Sequence, residues 1–361
     1  MERGLRLARQ DLLRDARTLP QGAHPGRTAG RGGRWLTTSA ASWTSGFSAG
    51  SMWVMAELSG DRRWQARATQ AQRGLAGQAA NTRTHDVGFI LHTPYARAFR
   101  LTRQPAYRRV LLRGAASLAT RFDPEVGATR SWGQAGEPTF RVIVDNLMNL
   151  ELLLWGARHG GPREWREMAV RHGLTAIRDH VRPNGSTFHV VEYDDDSGTV
   201  VAKGTRQGSG DGSTWSRGQA WAIHGFTTLY RETRDPRFLG AARRTADHWL
   251  SRMPRGGVPP WDFDAPMPAL PDSSAGAIAA SGLAELARLD PQQRRGERYA
   301  TAAVRTVSRL SRPSFLDTRG RSSSTLLHGT SDGARGRIDH GLVYGDYYYL
   351  EAILRVERIS R

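Results

Sequence analysis

Two hydrophobic patterns alternate along this chain. The first is amphipathic. It occurs as GDRRWQARATQAQRGLAGQ from Gly60, QPAYRRVLLRGAASLATRF from Gln104, GPREWREMAVRHGLTAIRDHV from Gly161, DPRFLGAARRTADHWLSRM from Asp235 and GERYATAAVRTVSRLS from Gly296. Each opens on a turn signal and then meets an aromatic: Trp64, Tyr107, Trp165, Phe238 or Tyr299. Ala and Leu follow at three-to-four spacing with Arg between them, which predicts helices with one apolar face.

The second pattern is apolar all round and rich in Gly, Ala and Ser. Its members are SWTSGFSAGSMWVMAEL, HDVGFILHTPYARAFRLT, VDNLMNLELLLWGARHG, STWSRGQAWAIHGFTTLYRET, DSSAGAIAASGLAELARL and HGLVYGDYYYLEAILRVE. Fully buried helices read this way, with small residues permitting close approach. Each begins at a polar cluster able to cap a helix N-terminus, and Pro94 should kink the helix it falls in. The first nineteen residues, MERGLRLARQDLLRDARTL, predict one more amphipathic helix, with Leu5, Leu12, Leu13 and Leu19 as its apolar positions.

Amphipathic outer helices alternating with buried inner ones predict an all-α (α/α)6 barrel. Six helical hairpins are expected to close into a toroid, with 1–361 as a single domain. The N-terminal helix supplies the twelfth member, beside the last inner helix. An open solenoid would need polar capping repeats, and the last helix, with Leu342, Val343, Tyr344, Tyr347 and Leu350, is too apolar for that. Residues 20–34, rich in Gly, Arg and Pro, are expected to be a loop. Residues 188–212 alternate like strands and predict a hairpin insertion.

Composition narrows the classes further. With Cys 0, thiolate chemistry, disulfides and cysteine-ligated metals are excluded. Lys+Arg 52 against Asp+Glu 34 leave a net charge of +18. Such a charge fits nucleic acid or an acidic substrate. Yet a single lysine, Lys203, stands among the basic residues, and the arginines spread along the whole chain. That points to an Arg-rich composition that favours an anionic substrate, not a nucleic-acid patch. No apolar run is long enough to span a membrane. The N-terminus is too charged for a signal peptide, so a cytoplasmic monomer or homodimer is expected, with no membrane or nucleic-acid partner.

The starts of the inner segments carry the chemistry. Trp43-Thr44-Ser45-Gly46-Phe47, His85-Asp86, Asp145-Asn146, Trp215 to Trp221 and Asp272-Ser273-Ser274 would converge on one mouth of a barrel. Aromatic walls with carboxylates and hydroxyl-reading groups describe a sugar pocket, and paired carboxylates are the usual kit for glycoside chemistry.

At these residues the chain resembles glycoside hydrolase family 88, the unsaturated glucuronyl hydrolases. The resembling pieces are WTSGF at Trp43, HDVGF at His85, VDNLMNL at Val144, DGSTWSRGQAW at Asp211, PPWDF at Pro259, DSSAGAIAASGL at Asp272 and YGDYYYLEA at Tyr344. The resemblance implies an (α/α)6 barrel without metal or organic cofactor. It also implies hydration of the C4=C5 bond that polysaccharide lyases leave in the nonreducing-end uronic acid of their products. Asp145 matches the general acid/base and Asp86 the second, assisting aspartate. Trp43, Trp215 and Trp221 match the aromatic lining. His85, His189, Gln207 and Arg217 match substrate-binding positions. Both aspartates also read as helix N-caps, of Asn146–Arg158 and Val87–His92. In HGTSDGARGRIDHG, from His328, Arg335 and Arg337 stand where some family members carry a sulfate-binding cluster with Lys. Two alternatives remain at this stage: an unsaturated rhamnogalacturonyl hydrolase with the same fold and chemistry, and a non-catalytic polyanion-binding barrel.

Overall fold

The computed structural model describes residues 1–134, 136–137 and 139–359. Its helices follow the alternation of patterns. The outer helices are α1 (Glu2–Thr18), α3 (Arg62–Ala71), α5 (Pro105–Ala119), α7 (Glu164–Asp179), α9 (Pro236–Arg252) and α11 (Gln293–Leu310). The inner ones are α2 (Phe47–Ser59), a π-helical segment Gly88–Ala96 running into α4 (Arg97–Thr102), α6 (Asn146–Arg158), α8 (Ser216–Thr233), α10 (Ser273–Leu289) and α12 (Val343–Ile359).

Each inner helix packs against the next, and α12 packs back on α2. The ring is therefore closed, as an (α/α)6 barrel requires and an open solenoid does not permit. Its core runs through all twelve elements, from Leu12 of α1 to Val356 of α12. Along α10, every residue from Ser273 to Leu286 is buried, which the small Ala, Gly and Ser side chains allow. The outer helices bury one face, and in the five that follow α1 the leading aromatic (Trp64, Tyr107, Trp165, Phe238, Tyr299) is buried in the core.

Several details depart from the sequence expectations. Residues 20–34 are not simply a loop: β1 (His24–Thr28) pairs antiparallel with β2 (Trp35–Thr38). The Thr28 N–H donates to the Gly341 carbonyl, so pairing across the fold outweighs the poor strand propensity of Pro and Gly. The expected kink at Pro94 takes the form of π-helix over Gly88–Ala96, whose wider turn accommodates a residue with no N–H to give. In α1, Asp11 and Asp15 are buried beside Leu12, while Leu5 and Leu13 are half-buried. Thr325 donates to Asp11 and Trp35 to Asp15, which is how α1 buries carboxylates.

The expected hairpin is present as β6 (Val190–Asp194) and β7 (Val200–Gly204). A strand that the sequence pattern did not signal, β5 (Thr139–Ile143), pairs with β6 on its other edge. A two-residue ribbon, β3 (Phe122–Asp123) and β4 (Ala128–Thr129), lies under α7. The three-stranded sheet sits at the end of the barrel where the inner helices begin.

Candidate functional site

Trp43 precedes α2, Asp86 precedes the π-helical segment, and Asp145 precedes α6. Arg217 lies in the first turn of α8, Asp272 caps α10 and Tyr344 opens α12. Because these elements share one direction in the ring, all six positions meet at one mouth.

Neither candidate aspartate is a helix cap. Asp145 stands at the cap position of α6, yet its side chain makes no capping hydrogen bond. Its Oδ2 is buried with no hydrogen-bond partner and lies 3.7 Å from His189 Nε2. Burial pushes the Asp145 carboxyl up to about 7. The Arg217 charge opposes that rise and the Asp86 charge adds to it. Asp86 lies ahead of a helix that starts one residue later than expected. Its Oδ2 accepts from Thr84 Oγ1 at 3.1 Å and its Oδ1 faces His85 Nε2 at 3.3 Å.

Hydrogen bonding sets the tautomer of both histidines. His189 Nδ1 accepts the Arg206 N–H at 3.2 Å, so its proton resides on Nε2, the nitrogen that faces Asp145. Burial, aided by the Arg217 charge, holds this imidazole far below its usual range and hence neutral. His85 is the reverse. Its Nδ1 lies 2.8 Å from the Ser131 carbonyl, which can only accept, so Nδ1–H donates and Nε2 is left facing Asp86.

The aromatic expectations divide. Trp43 is half-buried, 4.7 Å from Tyr344 and 5.5 Å from Phe89 between ring centroids, and keeps one face at the mouth. Trp215 is buried and backs His189 at 4.3 Å. Trp221 is fully buried between Phe89 and Tyr348. It is no sugar platform and offers the site only its Nε1–H, which has no partner.

Arg217 is buried as well. It bonds Asp272 at 3.2 Å and the Thr330 and Ser331 carbonyls, and its guanidinium stands 4.5 Å over the Trp215 ring. Gln207 Nε2 donates to the same Ser331 carbonyl at 2.7 Å. The two residues thus fasten the 328–341 segment over the mouth. Within it, Arg335 and Arg337 are both exposed, and Arg335 is paired with Asp332 at 2.7 Å.

Sequence reasoning overlooked Trp132. It is half-buried, edge-on to His189 at 6.2 Å, with the Arg206 guanidinium 5.0 Å over its face. The only signal was a lone Trp in a polar, Gly-rich stretch. Tyr344, quoted within YGDYYYLEA but given no role, forms the wall between Trp43 and Arg217.

The arrangement is thus a half-buried, protonatable carboxyl, that of Asp145, whose own Oδ2 is buried without a hydrogen-bond partner, at a mouth with three more such atoms: His85 Nε2, His189 Nε2 and Trp221 Nε1. Buried polar groups are normally paired, so a set left open at one mouth is suited to a polar ligand. Among the described residues no three His, Asp or Glu gather in an arrangement able to hold a metal ion. No helix among them is long and apolar enough to cross a membrane.

No family model matches the chain. It is 36% identical over 327 residues to an unsaturated glucuronyl hydrolase of Formosa agariphila, across 88% of this chain and 80% of that one. It is 36% identical over 326 residues to an unsaturated glucuronyl hydrolase of Bacillus sp. (strain GL1), across 88% and 86%. The crystal structure of an unsaturated glucuronyl hydrolase specific for heparin superposes with a TM-score of 0.94 at 35% identity, covering 99% of this chain and 96% of that one.

Proposed function

The chain belongs to glycoside hydrolase family 88, the unsaturated glucuronyl hydrolases, and on that premise we propose that it hydrates the C4=C5 bond of unsaturated uronic acids with Asp145 as general acid/base. The substrates are the oligosaccharides that polysaccharide lyases leave with a 4,5-unsaturated uronic acid at the nonreducing end.

The double bond is an enol ether. Protonation at C4 by the Asp145 carboxyl builds oxocarbenium character at C5. Water then adds to C5 and returns its proton to the Asp145 carboxylate. The product is a hemiketal. Its ring C5–O bond opens to a ketone, C1 becomes a hemiacetal, and that hemiacetal expels the rest of the oligosaccharide as an alcohol. One group that gives a proton and then takes one must titrate near working pH, which is what burial does to Asp145.

The other residues follow from their positions. The His189 Nε2–H donates toward Asp145 and the incoming water. Asp86 and His85 accept from the sugar hydroxyls, and the Asp86 charge helps to keep Asp145 protonated. Trp43 and Trp132 flank the sugar. Trp215 and Trp221 hold His189 and the barrel centre in place. Arg217 and Gln207 fix the 328–341 segment, and the Arg217 charge complements the substrate carboxylate.

The observation that carries this reading is the uncapped, half-buried Asp145, its Oδ2 sealed from solvent and its pKa raised, among unpartnered polar atoms. The test is the ultraviolet absorbance of the C4=C5 chromophore. Purified protein should bleach unsaturated disaccharides produced by chondroitin, hyaluronan or heparin lyases. A protein that leaves that absorbance intact, or that bleaches only pectin-derived disaccharides, overturns the proposal.

A further inference from the structure

The barrel has a second opening, at the end where the inner helices finish. A cavity of about 530 Å³ lies there, within the size range of small-molecule sites. Its walls come from the C-terminal halves of the π-helical segment with α4, α6, α8, α10 and α12. Asp145 and Arg158 bracket α6, so at 1.5 Å per residue the two mouths stand about 20 Å apart.

The charges of this chamber are sorted by depth. At its floor Arg97, Arg231 and Arg355 interlock with Glu151, Glu232, Glu285 and Glu351. Acid and base there nearly balance, and although Arg97 Nε has no partner, the terminal guanidinium nitrogens of all three arginines meet carboxylates, backbone or His224, so the floor reads as a structural ion-pair network.

The rim is different. Arg100, Arg103, Arg158, Arg288 and Arg358 all line the opening. Glu57 serves three arginines at once, Arg97 of the floor with Arg100 and Arg358. Arg158 holds Glu232 through Nη1 alone, Arg288 only approaches Glu285 at 4.0 Å, and Arg103 has no ion pair among the described residues. The side chains of Arg100, Arg158, Arg288 and Arg358 are each about half exposed. Four of the five guanidiniums thus share carboxylates that also serve Arg97, Arg231 or Arg355 of the floor, and Arg103 has none among the described residues. A concave, low-dielectric wall focuses such a field, and the guanidinium fork matches an oxoanion.

We propose that this opposite mouth is a binding site for a small polyvalent oxoanion, a molecule carrying two or more phosphate, sulfate or carboxylate groups. The site is separate from the Asp145 mouth. A layer of rings closes the barrel between them: Phe89, which lines the chamber, lies 5.3 Å from Trp221, which in turn lies 5.3 Å from Tyr348. The anion therefore binds without displacing substrate.

The test is titration calorimetry at low salt with two probes: pyrophosphate, and a saturated sulfated disaccharide that cannot be hydrated. Which probe binds distinguishes a phosphate from a sugar-borne anion, and binding of either supports the site. The variant is Arg158→Gln with Arg358→Gln. Both side chains are half exposed, so the fold should persist, with melting temperature and chromophore turnover as controls. The expected result is one-to-one binding that weakens by about tenfold or more in the variant, the loss expected when charge-assisted hydrogen bonds go, while turnover stays at the wild-type level. Binding equal in wild type and variant, binding that competes with the unsaturated substrate, or no binding of either probe at millimolar concentration would overturn the proposal.

Discussion

Replacing Asp145 by Asn separates chemistry from structure with unusual clarity. The side chain makes no capping hydrogen bond, so Asn costs α6 nothing at its N-terminus. The substitution is nearly isosteric and removes the transferable proton. A positioned acid/base contributes about 100- to 10,000-fold, and Asp145 is assigned both protonation and water activation, so turnover should fall at least that far. Stability should move the other way. The carboxyl pKa rises from 3.8 in the unfolded chain to about 7 in the folded one. The folded state therefore binds the proton more tightly, and stability is lost as pH climbs from about 4 to about 7. At 1.36 kcal/mol per pH unit the rise corresponds to a ceiling of about 4 kcal/mol above pH 7. Asn carries no charge and escapes that cost. The variant should thus be nearly inactive at every pH, and more stable than wild type at pH 8 by an amount that shrinks as the pH is lowered toward 4. Initial rates of chromophore loss report the first effect and denaturant melts at several pH values the second. A folded Asn variant that keeps more than roughly a tenth of wild-type turnover, well short of the general-acid magnitude, would refute the role. A stability difference independent of pH would refute the raised pKa.

Other expectations rest on different contacts. The pH dependence of kcat/KM should show a limb falling above about pH 7, as the Asp145 proton is lost; a profile flat from pH 6 to 9 would contradict it. His189→Phe keeps the ring beside Trp215 but removes the Nε2–H facing Asp145. It should cut kcat by about 10- to 100-fold, the range of a hydrogen bond to a charged group, and unchanged kcat would remove the donor role. Arg217→Gln leaves Asp272, fully buried, without its partner guanidinium, and should destabilise by about 3–5 kcal/mol. Arg305→Gln loses one surface bond to the Arg255 carbonyl and should stay within about 0.5 kcal/mol, so equal small effects in denaturant melts would mean that Arg217 is peripheral. Dialysis against EDTA should leave turnover unchanged, because no cluster of metal-ligand side chains exists among the described residues; loss restored by a divalent ion would show otherwise.

The barrel and its chemistry were legible in the sequence to different depths. Burial periodicity is a local property, so amphipathic and all-apolar segments announced outer and inner helices. Their order alone placed Asp86, Asp145, Arg217 and Asp272 at one mouth. What those residues do with their atoms was not local. DN before an apolar run reads as a cap, yet the Asp145 carboxyl leaves the helix terminus and stands opposite His189, which arrives from the end of the hairpin sheet. Three tryptophans looked alike in sequence. Only packing decided that Trp221 is sealed inside, that Trp43 keeps a face, and that Trp132 joins them from a loop without periodicity. The strand Thr139–Ile143 exists because the distant Val190–Asp194 supplies its hydrogen-bond partners, and His24–Thr28, paired locally with Trp35–Thr38, is also held by Gly341 and Leu342 from far along the chain. The second mouth, too, is invisible along the chain, where its arginines look like the solvated faces of any Arg-rich protein. Spacing determines which face of a helix is buried, because that depends on neighbours three and four residues away. Distances between helices determine pKa, tautomer and cavity, and those are set only when the ring closes.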